Sequence, residues 1–221
     1  MVTTMPDYAA EREAMVERQL KRRGITEQEI AEAFRAVPRE AFVSADSGHL
    51  AYGDHPLPIE AGQTISQPYI VALMIQAARI KPGDRVLEVG AGSGYAAAVV
   101  SRIAGTVIGI ERQHDLVEVA RRRLERLGYA NVEIIEGDGT RGCREHAPFD
   151  AILAAASGSH VPRPWVEQLA DGGRIVMPVG DPHWVQELIK VTKGPDGTLI
   201  QENLGGVRFV PLIGEEGWKD A

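Results

Sequence analysis

The chain has a single cysteine, Cys143, among 221 residues, so it can close no internal disulfide and build no multi-thiolate zinc centre. That usage suits a reducing compartment, and a cytoplasmic location is expected. Aromatic residues are scarce at 5%, which argues against a platform for stacking single-stranded bases. Positive charge is also short. With 24 Lys+Arg against 31 Asp+Glu the formal net charge is −7, the wrong sign for a protein held to nucleic acid by neutralising phosphates. No apolar run approaches the roughly 18 residues that mark a membrane span, and Asp7, Glu11, Arg12, Glu17 and Lys21 break up any signal-peptide core near the N-terminus. Neither a nucleic-acid nor a membrane partner is expected. The six histidines form no H-E-x-x-H pattern, and the chain has no G-x-S-x-G elbow and no P-loop. No metal site is expected, and Cys143 reads as a small packing residue.

A hydrophobic content of 44% over 221 residues is enough to bury a substantial core, and the simplest reading is one α/β domain with additions. Its expected parts are N-terminal helices with an active-site loop (1–80), a cofactor-binding core (81–180) and C-terminal antiparallel strands (181–221). The stretch from Asp7 to Arg23 is rich in helix formers, with Val16 and Leu20 on one face and Gly24 placed to stop it. Thr26 and Glu29 have capping-box spacing, Ile30, Phe34 and Val37 follow at near-helical intervals, and Pro38 closes a second helix. From Val43 to Gln67 glycine and proline make the chain irregular, and Tyr52, Leu57, Pro58, Ile59 and Ile65 are expected to anchor a long functional loop. Pro68 suits the first turn of a helix running to about Arg79.

Beyond Lys81 short apolar runs alternate with helical stretches. Strands are expected at Arg85–Val89, Thr106–Ile110, Val132–Glu136, Phe149–Ala154 and Arg174–Pro178, with helices at Tyr95–Ala104, His114–Leu127 and Pro164–Leu169. This is the pattern of a doubly wound, Rossmann-like parallel sheet. Trp184–Lys193 and Thr198–Leu204 flank the turn Gly194-Pro195-Asp196-Gly197 and predict a C-terminal antiparallel hairpin, followed by a last apolar run from Val207 to Ile213.

The segment Leu87-Glu88-Val89-Gly90-Ala91-Gly92-Ser93-Gly94 lies where the first strand of this sheet turns into its helix. Glycines there let a ligand approach the backbone at the carboxyl ends of the strands. The dinucleotide fingerprint G-x-G-x-x-G needs its third glycine at position 95, but Tyr95 stands there. A pyrophosphate cradle is therefore disfavoured, and S-adenosylmethionine, which carries no phosphate, fits better, with Glu88 available to order its ammonium group. Glu111, just past the second strand, is placed to accept hydrogen bonds from both ribose hydroxyls, although NAD makes the same demand and a helix N-terminus also favours an acid. In Gly137-Asp138-Gly139, Asp138 is either a reader of the adenine amino group or part of an ordinary turn.

The loop Gly62-Gln63-Thr64-Ile65-Ser66-Gln67-Pro68-Tyr69 adds a more specific pattern. Together with Val37-Pro38-Arg39, Pro56-Leu57-Pro58-Ile59, the glycine turn, Gly137-Asp138-Gly139, Ala147-Pro148-Phe149-Asp150 and Val207-Arg208-Phe209-Val210-Pro211-Leu212, it closely resembles the protein-L-isoaspartate O-methyltransferase family over nearly the whole chain. The resemblance implies a repair methyltransferase that transfers a methyl group from S-adenosyl-L-methionine to the α-carboxyl of L-isoaspartyl residues in damaged proteins and peptides. By the same resemblance Ser66 is the active-site serine, though its hydroxyl also stands where it can cap the helix begun at Pro68. Thr64, Ile65 and Val210 are expected to line the substrate site, and Glu88, Gly90, Gly92, Gly94, Glu111, Asp138 and Gly139 to hold the donor. The chain departs from the family at Ala155-Ala156-Ser157, where Thr-Ala-Ala is common, and at Thr140, Cys143 and Glu60-Ala61. The rivals are the same fold acting on a dedicated peptide aspartate or a small carboxylate, and a non-catalytic nucleotide-binding module. Nothing in the sequence sets an oligomeric state.

Overall fold

The computed structural model describes residues 7–219. Asp7 caps helix α1 (Tyr8–Met15) by accepting from the Ala10 N–H at 3.1 Å, and the helical path continues through Val16–Leu20 and Lys21–Arg23 to a left-handed Gly24. Helix α2 (Gln28–Ala36) starts later than the expected capping box. Its N-cap is Glu27, whose carboxylate accepts from the Thr26 N–H at 3.1 Å and from Gln76 Nε2 at 2.7 Å. A tertiary contact thus replaces the local box. The helix stops at an extended Val37, as the residue before a proline prefers.

Residues 39–67 are ordered by buried side chains rather than by long elements. Phe42, Val43, Tyr52, Leu57, Ile59 and Ile65 are buried, and a two-residue antiparallel pair, β1 (Leu57–Pro58) with β2 (Thr64–Ile65), pinches the loop. Pro58, expected among the anchors, is exposed, because on so short a strand its side chain faces away from that of buried Leu57. Helix α3 (Pro68–Ala78) begins on its proline and ends at a left-handed Arg79.

The main sheet is built from β3 (Arg85–Val89), β4 (Thr106–Glu111), β5 (Val132–Glu136), β6 (Phe149–Ala154), β7 (Leu169–Val179), β8 (Gln186–Lys193) and β9 (Leu199–Val207). Its order is β5-β4-β3-β6-β7-β8-β9, parallel from β5 to β7 and antiparallel for the last two pairings. Helices α4 (Tyr95–Ser101) and α5 (His114–Leu127) join the N-terminal helices over one face, and α6 (Arg163–Gln168), with its buried Trp165, covers the other. The chain winds outward from β3 to β5, then crosses back to β6. The crevice above β3 and β6 is therefore the switch point at which such sheets bind ligands.

One strand of the sheet starts well before its expected position. β7 starts at Leu169 rather than Arg174, pairing Leu169 with Phe149 across a register shift. The run from Val207 to Ile213 extends no sheet strand beyond its first residue. It arches over the end of β6 instead, where the Ser157 N–H donates to the Val210 carbonyl and the Leu212 N–H to the Ser157 carbonyl, both at 2.8 Å. The Trp218 indole N–H closes the arch on the same Ser157 carbonyl at 2.9 Å.

Arg174 on β7 fastens α3 to the sheet. Its guanidinium donates to the carbonyls of Ala78 at 2.5 Å and Arg79 at 2.8 Å, and pairs with Asp84 at 3.2 Å, both side chains being 14% exposed. These carbonyls end α3 and have no helical partner. Replacing Arg174 by Ala strands them and leaves Asp84 with the Lys81 N–H but without its cation, so the free energy of unfolding should fall by about 3 kcal/mol, measured by urea denaturation.

Candidate active site

The site grows from the end of β3. Gly90 has φ +82°, and the N–H groups of Gly90 and Ala91 both donate to the Ile110 carbonyl, at 2.8 and 3.1 Å, lashing the turn to β4. Glu111, the next residue of β4, is 6% exposed and accepts from the N–H groups of Gly92 at 2.9 Å and Gln113 at 3.0 Å. Its carboxylate is thus oriented at the crevice wall by two backbone N–H groups. Two of the glycines are there for closeness. A Cβ at Gly94 would press on Leu124 and Ala120 of α5 at 3.2 and 3.4 Å, and one at Gly139 would stand 2.5 Å from Val89 Cγ1.

Two adjoining cavities open here. The first, about 200 Å³, is walled by Gly90, Gly92, Glu111, Gly139, Thr64 and Val210 of the expected residues, and also by Gln63, Gln113, Ala156 and Ile213, which sequence reasoning missed. The second, about 440 Å³, holds Ser66 with Gln67, Arg208 and Phe209. Thr64, Ala155, Val210 and Pro211 form the shared wall. Arg208, Phe209 and Pro211 lie inside the V-R-F-V-P-L motif, so the signal for them was present. Gln113 sits two residues past Glu111 and was also within reach.

Four expected residues line neither cavity. Ile65 is turned into the core. Gly94 serves the α4–α5 approach. Asp138 accepts from the Thr140 N–H and hydroxyl at 2.9 and 2.6 Å and from the Glu215 N–H at 2.8 Å, so its carboxylate faces the C-terminal segment. Glu88 lies buried beneath the turn, with Oε2 unpartnered. Ser66 follows β2, half-buried, with no hydrogen bond on its hydroxyl among the described residues. The cap position of α3 belongs to Gln67, so the hydroxyl of Ser66 is not spent on capping. Cys143 is half-buried against the α6-side core, and burial pushes its thiol pKa up, as suits a packing residue.

The loop is pinned over the turn by an ion pair. Arg123 of α5, 11% exposed, reaches Glu60 through two hydrogen bonds of 2.8 and 3.2 Å.

Residues 10–217 match the family profile described as protein-L-isoaspartate(D-aspartate) O-methyltransferase. The chain belongs to this family. It is 56% identical over 207 residues to protein-L-isoaspartate O-methyltransferase 2 of Pelobacter propionicus, covering 94% of this chain and 92% of that one. To a Rhodopseudomonas palustris relative, protein-L-isoaspartate O-methyltransferase 1, it is 52% identical over 211 residues, covering 96% and 86%. A solved protein-L-isoaspartate O-methyltransferase superposes with a TM-score of 0.86 at 34% identity, covering 93% of this chain and 67% of that one. A Plasmodium falciparum beta-aspartate methyltransferase, solved in complex with S-adenosyl-L-homocysteine, gives 0.79 at 30% identity, covering 91% and 98%.

The cradle fits the donor that such methyltransferases use. A pre-oriented acid, Glu111, stands beside a glycine turn that leaves the backbone open, and a second acid, Glu88, is buried nearby. Burial, and then the charge of Glu111, push the Glu88 carboxyl up to about 8, against the Ala97 N–H, which favours the ionised form. A native pKa above the unfolded value means that between about pH 4.5 and 8 the folded state holds a proton the unfolded state has lost. Stability should therefore decline with rising pH across this window, by up to about 1.4 kcal/mol per unit. In Glu88→Gln that contribution disappears, and thermal melts of the donor-free protein from pH 5 to 8 should fall less steeply than in the wild type.

Proposed function

We propose that this protein repairs damaged polypeptides by methylating the α-carboxylate of L-isoaspartyl residues, with S-adenosyl-L-methionine as donor. The observation that carries this reading is the pairing of chambers. One presents the oriented Glu111 carboxylate. The other, around Ser66, has Arg208 as its single charged wall residue, and no acid, among the described residues. In a protein of net charge −7, a carboxylate-free chamber bearing a cation is a place for an anionic acceptor.

A carboxyl group with a pKa near 4 is already ionised at neutral pH, so the acceptor needs no general base and catalysis rests on orientation and exclusion of water. When bound, S-adenosyl-L-methionine supplies a methyl group made electrophilic by its sulfonium. Glu111 would accept from the ribose hydroxyls, with Gly90, Gly92 and Gly139 giving close access. Ser66 would donate to one acceptor oxygen, holding the other toward the shared wall, while Thr64 and Val210 bound the path between the chambers and keep water out. Asp138 would meet the adenine amino group only by yielding part of its contact with the C-terminal segment, and Glu88 would act from beneath the turn rather than from the wall. The partners are isoaspartyl proteins and peptides. We place this activity in the cytoplasm, on the support of a lone half-buried thiol. Among the described residues no helix is long and apolar enough to cross a membrane.

Paired peptides differing only in Asp or isoAsp at one position, followed by mass spectrometry, test the reading. The isoAsp peptide alone should gain about 14 Da, one CH₂, per methyl group transferred, and equal labelling of both would defeat it. In the same assay Ser66→Ala should lose about 10- to 100-fold in kcat/KM, the worth of one hydrogen bond to a charged group. Arg208→Ala should raise the peptide KM about three- to tenfold at low salt, with the gap narrowing as salt screens the exposed charge.

A further inference from the structure

The Val37-Pro38-Arg39 motif is left without a task by the chemistry above, yet Arg39 is the only arginine among the fully buried side chains of the described residues. Its guanidinium donates through Nε to the Ala51 carbonyl at 2.8 Å and through Nη2 to the Ser66 carbonyl at 2.9 Å. Its carbon Cζ lies 4.7 Å from the centroid of the Tyr95 ring. Among the described residues it forms no ion pair, and Nη1 is unpartnered. A buried cation without a counter-ion is costly, and neutral amides or a water suffice to tie a loop. Only a planar fork can bridge two carbonyls on separate segments while stacking on an aromatic face.

Tyr95 sits directly after Gly94 and opens α4. Its ring is held edge-on by Phe42 at 5.6 Å and 66° and by Phe34 at 6.3 Å and 77°. A short rigid line therefore runs from the glycine turn through the Tyr95 ring and the Arg39 guanidinium to the backbone of Ser66. The residue that breaks the dinucleotide fingerprint is thereby the seat of the strut.

We propose that Arg39 is a positioning residue for the methyl-transfer step, fixing Ser66 relative to the glycine turn by bracing its carbonyl against the Tyr95 ring. This rests on the role of Ser66 given under Proposed function. Displacements of about 1 Å at a reacting centre cost on the order of 100-fold, so a strut of this kind is read in turnover rather than in donor affinity.

A double-mutant cycle on the whole chain tests it, using wild type, Ser66→Ala, Arg39→Lys and the double variant. Lysine keeps the charge but offers a point ammonium in place of the fork. Each single variant should lose roughly 10- to 100-fold in kcat/KM on the isoAsp peptide, and the double should lose no more than the worse single, because both act on one interaction. Calorimetry of S-adenosyl-L-homocysteine binding should move by less than about threefold in Arg39→Lys, since the strut bears on the acceptor side. Amides of residues 62–67 should exchange faster in that variant while the sheet keeps its protection. Losses that multiply in the double variant, donor affinity that falls in step with activity, or a fully active Arg39→Lys enzyme would each overturn the proposal while the serine's role stands. A Ser66→Ala enzyme of wild-type kcat/KM removes the serine's role, and this one with it, and is recognised from that variant alone. Should Arg39→Lys not fold, Arg39→Gln, which keeps an amide donor, takes its place in the cycle, and the same losses support or overturn the strut.

Discussion

Three N–H groups of the turn at Gly90, Ala91 and Gly92 converge on the last two residues of β4, two on the Ile110 carbonyl and one on the Glu111 carboxylate. That convergence sets the site. It folds the turn down onto the neighbouring strand, leaves the crevice above β3 open, and fixes the direction of an acid that in free solution would sample several rotamers. The order of the sheet makes the convergence available, since only at the switch point does the loop after one strand have an uncovered neighbour on each side.

On this foundation the second chamber is assembled from distant parts of the chain. Ser66 comes from the pinched loop, Ala155 from the end of β6, and Arg208 to Pro211 from the arch beyond β9. None of these belongs to a long regular element, and each is placed by a small number of strong contacts. Glu60 is held by Arg123, the arch is bonded to Ser157, and the loop is plugged into the core by Leu57, Ile59 and Ile65. Ala155 borders both chambers, so the shared wall presents a methyl group and no hydroxyl at this point.

The parallel core was legible because short strands rich in Val, Ile and Leu, Arg85–Val89 through Phe149–Ala154, alternate with longer helical stretches. The start of β7 was not, because Ala170-Asp171-Gly172-Gly173 has turn composition and bulges out between the Leu169–Phe149 and Arg174–Ala151 pairs. Val207–Ile213 is legible in the sequence only as an apolar run, and its arched path depends on Ser157 beyond β6 and on Gln186 of β8. In the site, Gly90, Gly92 and Glu111 were visible from local spacing. Ala156 and Ile213 were not, since alanine and isoleucine carry no chemical signal and their place depends on contacts far apart in the chain. Asp138 shows the limit of motif reading most plainly, since Gly137-Asp138-Gly139 locates the turn but not the direction of its carboxylate, which the Glu215 and Thr140 donors decide.

The arch also carries strain from a distance. With the Trp218 indole bonded to the Ser157 carbonyl and the Glu215 N–H to Asp138, the stretch from Glu215 to Trp218 buttresses the arch while bordering neither cavity. A change at Trp218 would therefore be felt in the shared wall, several residues away from any group that touches it.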